Sequence, residues 1–322
     1  MKSKKWVIFS TALLMIPLML LSATVTEAQV PDKPVIVCTT SAVGSVVEEF
    51  VGDTADVLVL VQPGLCPADF DMKPGYIDAV NKAQILFKQN IKGEFWLDGL
   101  LAAAENSDLT IVAISGVYNT PAGAKSYIRG VGGNLSEILD LDLNAKTSEM
   151  LNGVDEVSSL MASQATILDA TNVKVICMSW LKTFIKSAGF TVVATFNPPE
   201  TLSAGDITTL IETAQNESVA LVVDNLQIDT KFGAGIASQV GAEHVVITNF
   251  PGAIPNTETL QEMLRYNAEQ LFNGTVTWKA TSTLKTEKAY LENQVAMFQI
   301  AAALAAIVAV AEAVLLYAKR KK

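Results

Sequence analysis

Residues able to do chemistry are few in this chain and fall in three places. The loop 61–75, VQPGLCPADFDMKPG, sets Cys66, Asp69, Asp71 and Met72 among prolines and glycines. Cys177 and Met178 stand side by side further on, and Asp224 is the next-to-last residue of the apolar run VALVVDN. Thiolate and thioether sulfur take soft ions such as Cu(I), whereas carboxylates take harder cations. Cys177 and Met178 are neighbours in a strand-like run and so face opposite ways, which lets only one of them join a site. The single histidine, His244, opens another apolar run and reads as a surface or strand-edge residue. Catalysis is poorly served. There is no Ser-His-Asp order around His244, no C-x-x-C, no G-x-x-x-x-G-K and no H-E-x-x-H. The run Gly130-Val131-Gly132-Gly133 follows no strand and reads as a turn. Asp140-Leu141-Asp142 has neither the length nor the spacing of a calcium loop. An enzyme is therefore the least attractive class.

The elements that must position these residues alternate. Strands are predicted at VIVCTT, ADVLVLV, AQILFKQ and LTIVAIS, with helices between them. Residues 145–168 break the rhythm: Met150, Leu151, Val154, Val157, Leu160, Met161, Ala165 and Leu168 recur at steps of three and four, as on one long amphipathic helix. Alternation then resumes with VKVICMS, FTVVATF, VALVVDN and HVVITNF, and a helix is predicted over 257–272. Strands separated by helices imply parallel sheets. The fold class is therefore α/β, with two lobes joined by a single long helix: an N-terminal lobe over 29–143, the connecting helix over 144–169 and a C-terminal lobe over 170–277.

The two ends are of another kind. Residues 1–28 open with three lysines, run apolar and close on Thr26-Glu27-Ala28, the three regions of a signal peptide. Residues 278–294 form a tether. Residues 295–318 carry one charge, Glu312, and at helical rise span about 36 Å, enough for a bilayer core of about 30 Å. The basic tail 319–322 belongs on the cytoplasmic side, giving a single-pass protein of the cytoplasmic membrane with its body outside. Leaving out the basic residues of leader and tail, Glu27 and Glu312 takes the formal charge from −10 to about −15. That argues against a nucleic-acid partner, since phosphates require a basic face. Membrane lipid contacts the chain through the C-terminal helix. Three cysteines, Cys38, Cys66 and Cys177, cannot all pair within one chain.

Four stretches stand out together: Gln62-Pro63-Gly64-Leu65-Cys66-Pro67-Ala68-Asp69-Phe70-Asp71-Met72-Lys73-Pro74; Trp96-Leu97-Asp98; Glu200-Thr201-Leu202-Ser203, beginning a helix before Val219-Ala220-Leu221-Val222-Val223-Asp224; and the last predicted helix with Asn267. Through them the chain, over roughly residues 34–274, resembles the solute-binding proteins of zinc- and manganese-type ABC importers, whose first loop reads P-P-G-x-D-P-H-x-Y-E-P-x-P. The resemblance implies a metal held between the lobes by histidines and a carboxylate. Carried over one by one, those positions fall on Ala68, on Gly116 where Pro121 matches the family's proline, on Met178 and on Asn249. None is a usual zinc or manganese ligand, and His244 matches no ligand position.

Three readings fit these residues. A soft metal could be held by Cys66 and Met178, with Cys177 or Met72 as further donors. A larger solute or a metal chelate could fill the space the imidazoles leave, lined by Phe70, Tyr118 and Trp180 and contacted by Asp69, Asp71 or Asp224, with Ala68 and Asn249 at the cleft. In both, the chain is a membrane-anchored solute-binding component that delivers to an ABC permease and its ATPase subunit, and any cofactor is a bound metal ion or metal chelate. In the third reading a cell-surface or membrane-complex protein reuses the binding fold without transport.

Overall fold

Short β-branched runs build two separate parallel sheets. The computed structural model describes residues 33–320; the leader segment 1–28 and the last two lysines of the tail lie outside them. In the first lobe β1 (Val35–Thr40) pairs with β2 (Asp56–Val61) on one side and β3 (Ile85–Lys88) on the other, and β4 (Thr110–Ala113) adds to β3. Helices α1 (Ser41–Val51), α2 (Pro74–Lys82) and α3 (Leu97–Ala104) make the crossovers. Both faces of the sheet are covered, so β1 is apolar on both sides: Ile36 and Cys38 face one buried cluster, Val37 another.

Two further helices follow, α4 (Pro121–Leu139) and α5 (Asn144–Ile167). Helix α4 is a correction, because the glycine run at 130–133 lies inside it rather than in a turn. Thr120 caps it by accepting from the Gly123 amide at 3.1 Å, and Pro121 occupies the first turn. Gly132 is required by a neighbour: a Cβ there would stand 2.6 Å from the Phe50 ring of α1. Helix α5 buries Met150, Val154, Val157 and Met161 at steps of four, three and four.

The second lobe repeats the plan. β5 (Lys174–Met178) pairs with β6 (Thr191–Phe196) and β7 (Leu221–Asn225), and β8 (Glu243–Ile247) lies at the edge beside β7. The connections are α6 (Lys182–Ser187), α7 (Ala204–Asn216) and α8 (Lys231–Val240). Ser203 and Asp206 form a capping box on α7.

A single helix, α9 (Leu260–Arg320), closes the chain and runs for 61 residues. The segments read as last lobe helix, tether and membrane span are thus stretches of one helix. It descends antiparallel to β8: Asn267 meets Thr248 beyond the strand's carboxyl end, and Gly274 packs on Val245, Leu221 and Glu243 toward the amino ends. Lys279 then donates to the Leu168 carbonyl at 2.6 Å. Beyond it the helix is exposed, and its apolar part is long enough to cross a membrane by length and composition.

Candidate functional site

The carboxyl ends of the strands are where parallel α/β sheets present loops to a ligand, and here those of the two lobes meet. In the first lobe a buried polar cluster fixes the loop that carries Ala68. The Thr39 hydroxyl donates to Glu94, whose carboxylate also accepts from the Gln89 and Ile91 amides at 3.0 and 3.2 Å. Thr40 donates to Gln89 Oε1 at 2.6 Å. The turn holding Glu94 packs on the loop so closely that a Cβ on Gly93 would lie 3.2 Å from Pro67. Trp96 Nε1 donates to the Pro67 carbonyl at 2.9 Å, and Phe70 stacks on the Trp96 ring at 3.9 Å between centroids. The bend around Ala68 is therefore held from beneath by side chains that need no metal.

In the second lobe the segment after β8 is fixed as firmly. Buried Asn267 accepts from the Thr248 amide and donates to its carbonyl, at 2.9 and 2.7 Å, which sets the direction of Asn249. Gln227, just past β7, donates to Thr248 Oγ1 at 2.8 Å and accepts from the Asn249 amide at 3.3 Å.

The two rims then bond directly. Asn119 Nδ2 donates to Asn249 Oδ1 at 3.2 Å and lies 3.5 Å from the Trp180 carbonyl. Gln227 Nε2 donates to the Pro63 carbonyl at 2.9 Å, and Ser41 Oγ to the Pro251 carbonyl at 2.8 Å. Gln261 Nε2 donates to Glu49 at 3.1 Å. Burial raises the Glu49 carboxyl above the usual range, against the bond from Gln261 and the Lys146 ammonium 3.6 Å away. Apart from that outer pair the seam is built of neutral amides, hydroxyls and carbonyls.

The structure gives the residues singled out from sequence different settings. Ala68 and Asp69 are exposed on the loop and Cys66 is half-buried there. Phe70 is engaged with Trp96 and Tyr76. Tyr118, expected to line an opening, is buried against Tyr127 at 5.6 Å, and burial raises its phenol. Met178 is wholly buried in the core, whereas Trp180 is 38% exposed. Cys177 is buried as well, its thiol pushed up to about 12 by loss of water. Among the described residues no group of three or more His, Cys, Asp or Glu could hold a metal ion.

Asp224 is not at a rim. It is buried between β7 and α8, where a Cβ on Gly233 would reach within 2.1 Å of its carboxylate. Oδ2 bonds His244 Nε2 at 2.8 Å; Oδ1 has no partner. Burial raises the carboxyl, opposed by His244 and by the Gly233 amide. His244 is on the edge strand, two residues out of register with its partner, since it is Val222 that lies opposite. Asn119 and Gln227 escaped sequence reading, although both follow strand ends, where a ligand-facing loop is expected.

The sequence model of the zinc-uptake complex component A, periplasmic (ZnuA), matches residues 36–274. The chain belongs to the ZnuA family. It is the solute-binding family of zinc- and manganese-type ABC importers, an extracytoplasmic binding component rather than an enzyme. A crystal structure of ZnuA superposes with a TM-score of 0.62 at 20% identity, covering 76% of this chain and all (100%) of that one. The periplasmic zinc-binding protein TroA from Treponema pallidum gives 0.64 at 14% identity, over 76% and 99% of the two chains. The laminin-binding protein Lmb of Streptococcus agalactiae, described as having adhesin and metal-transporting activity, gives 0.64 at 15%, over 75% and 99%. At these identities the likeness is one of fold. No curated protein sequence matches.

Proposed function

We propose that this ZnuA-family chain is a membrane-anchored solute-binding component of an ABC importer whose cargo is a metal chelate or small organic solute, not a bare hard cation. The observation that carries this is the Asn119–Asn249 bond: the position matching the family's closing aspartate holds a neutral amide, bonded to another amide at 3.2 Å. Amides cannot balance a divalent charge in a partly desolvated cleft, where an unpaired ion is costly. They suit a polar solute or a metal that brings its own ligands. Asn225 Nδ2, buried without a partner at the carboxyl end of β7, is a donor left over at the same edge. Residues 295–318 of α9 would anchor the body outside the membrane, near a permease and its ATPase.

A second reading is supported by the four direct bonds at the rims. Lobes that satisfy one another without a solute suit a surface or membrane-complex protein that captures none. Thermal unfolding of the soluble body against metals, metal chelates and small solutes separates the two. A ligand at a hundred times its dissociation constant adds about 2.7 kcal/mol. The transport reading expects a shift with a chelate or an organic solute and none with Zn(II) or Mn(II). A shift with Cu(I), lost in Cys66→Ser, would assign the sulfur site instead. No shift in a broad screen would leave the surface-protein reading.

A further inference from the structure

The path of α9 bears on how the cleft meets a partner in the membrane. The helix begins at Leu260, beside the carboxyl ends of the second sheet, and passes the amino ends at Gly274. It therefore leaves the body on the side opposite the seam where Ser41, Pro63 and Asn119 meet the second lobe. From Leu260 to Val295 is about 50 Å of helix at 1.5 Å per residue. Even with a span tilted by about 20°, a straight α9 keeps the seam far above the bilayer and turned away from it. A membrane-embedded permease cannot be served from that position.

The helix carries its own place to bend. Between the hydrogen bond from Lys279 to Leu168 and the apolar span lie Thr281, Ser282, Thr283 and Thr286. Thr283 donates to the Lys279 carbonyl at 2.9 Å and Thr286 to the Ser282 carbonyl at 3.0 Å. Such back-bonding loosens and bends helices, β-branched threonine is a weak helix former, and these turns are exposed or half-buried, with the Lys285 side chain beside Gly241 as their contact with the body.

We propose that α9 is a jointed strut. Straight, it holds the cleft away from the membrane; bent at residues 281–286, it brings the cleft down to the permease. This rests on the importer reading and on residues 295–318 being the anchor. The test uses the full chain in phosphatidylcholine vesicles, with flotation read first. A donor dye is attached at half-buried Cys66, Cys38 and Cys177 having no exposed surface, and acceptors are placed on the lipid headgroups. The donor lifetime of the unaltered chain is expected to split into an unquenched and a quenched population. Replacing Thr281, Ser282, Thr283 and Thr286 by alanine should remove the quenched one, and glycine at 282 and 283 should enlarge it. A single population in the unaltered chain, or one distribution shared by all three proteins, overturns the joint. A chain that does not float overturns the anchor reading and the strut with it. No shift in the melting screen would strike the importer reading, and with it the delivery role of the joint, while these lifetimes still report whether the helix bends.

Discussion

Asp224 brings a carboxylate out of water and leaves one of its oxygens unbonded. Burial outweighs the help from His244 and Gly233, so the folded chain holds this proton more tightly than the unfolded chain does. The penalty is therefore absent where both states are protonated, below about pH 4, and grows as pH rises through the raised folded value. Asp224→Asn keeps an acceptor for Gly233 and a donor for His244 while removing the charge. Its stability relative to the parent should rise between pH 4 and 7, by on the order of 1 kcal/mol for every tenfold difference in proton affinity between the folded and unfolded chain. Denaturant unfolding across that range reads it, and a constant difference would mean that the charge is not the cause. Little of this residue's setting was legible in the sequence. Asp224 and His244 are brought together by a strand register that no local pattern encodes. The seam amides Asn119 and Gln227 were hidden for another reason: neutral amides have no ligand spacing to recognise. Ala68, Gly116 and Asn249 carry no chemistry that a sequence pattern could pick out and were singled out only through the resemblance.

Elements were read better than sites, because the apolar periodicity that marks strands and helices is the same property that buries them. The eight strands and the long helix at 144–167 lie where their patterns placed them, within a residue or two at the ends except that the last strand stops at Ile247, three residues short of Phe250. Helix α4 was missed because GVGG is a turn by local rules, and what holds it helical is remote in sequence. That makes two neighbouring glycines respond oppositely to one substitution. At Gly133 an added Cβ meets nothing within 4 Å, and alanine should stabilise α4 by about 0.8–1 kcal/mol through propensity. At Gly132 the same methyl would stand 2.6 Å from a buried ring, and overpacking costs about 1–3 kcal/mol. Gly132→Ala should therefore destabilise despite the better helix former, and less so in a Phe50→Leu background. Equal effects at the two positions in thermal melts would refute the role given to Phe50. The continuity of α9 was missed as well, since residues 278–294 were read as a tether between the last lobe helix and the apolar span.

For the molecule as a whole, the question is how freely the lobes can move. They share one core, beside a second cluster on the other face of the first sheet. Met150, Val154, Val157 and Met161 of α5 belong to one buried cluster with Ile36, Val46 and Ile85 of the first lobe and Ile176, Leu221 and Leu264 of the second. Close-packed interiors transmit strain instead of yielding to it, and the rims are bonded besides. Wide hinge opening would tear this cluster; a small rocking about α5 would not. The body should therefore unfold as one cooperative unit. Met161→Ala, which empties part of the shared cluster, should cost about 2–5 kcal/mol. Because that cost falls on a core common to both lobes, the slowest-exchanging amides of β1 and β3 should lose protection by the same factor as those of β5 and β7. Hydrogen exchange followed at the two sheets decides it. Loss confined to the second sheet would mean that α5 belongs to one lobe, and that the seam bonds alone resist opening. Equal loss would make the shared core, rather than the seam bonds, the limit on lobe motion.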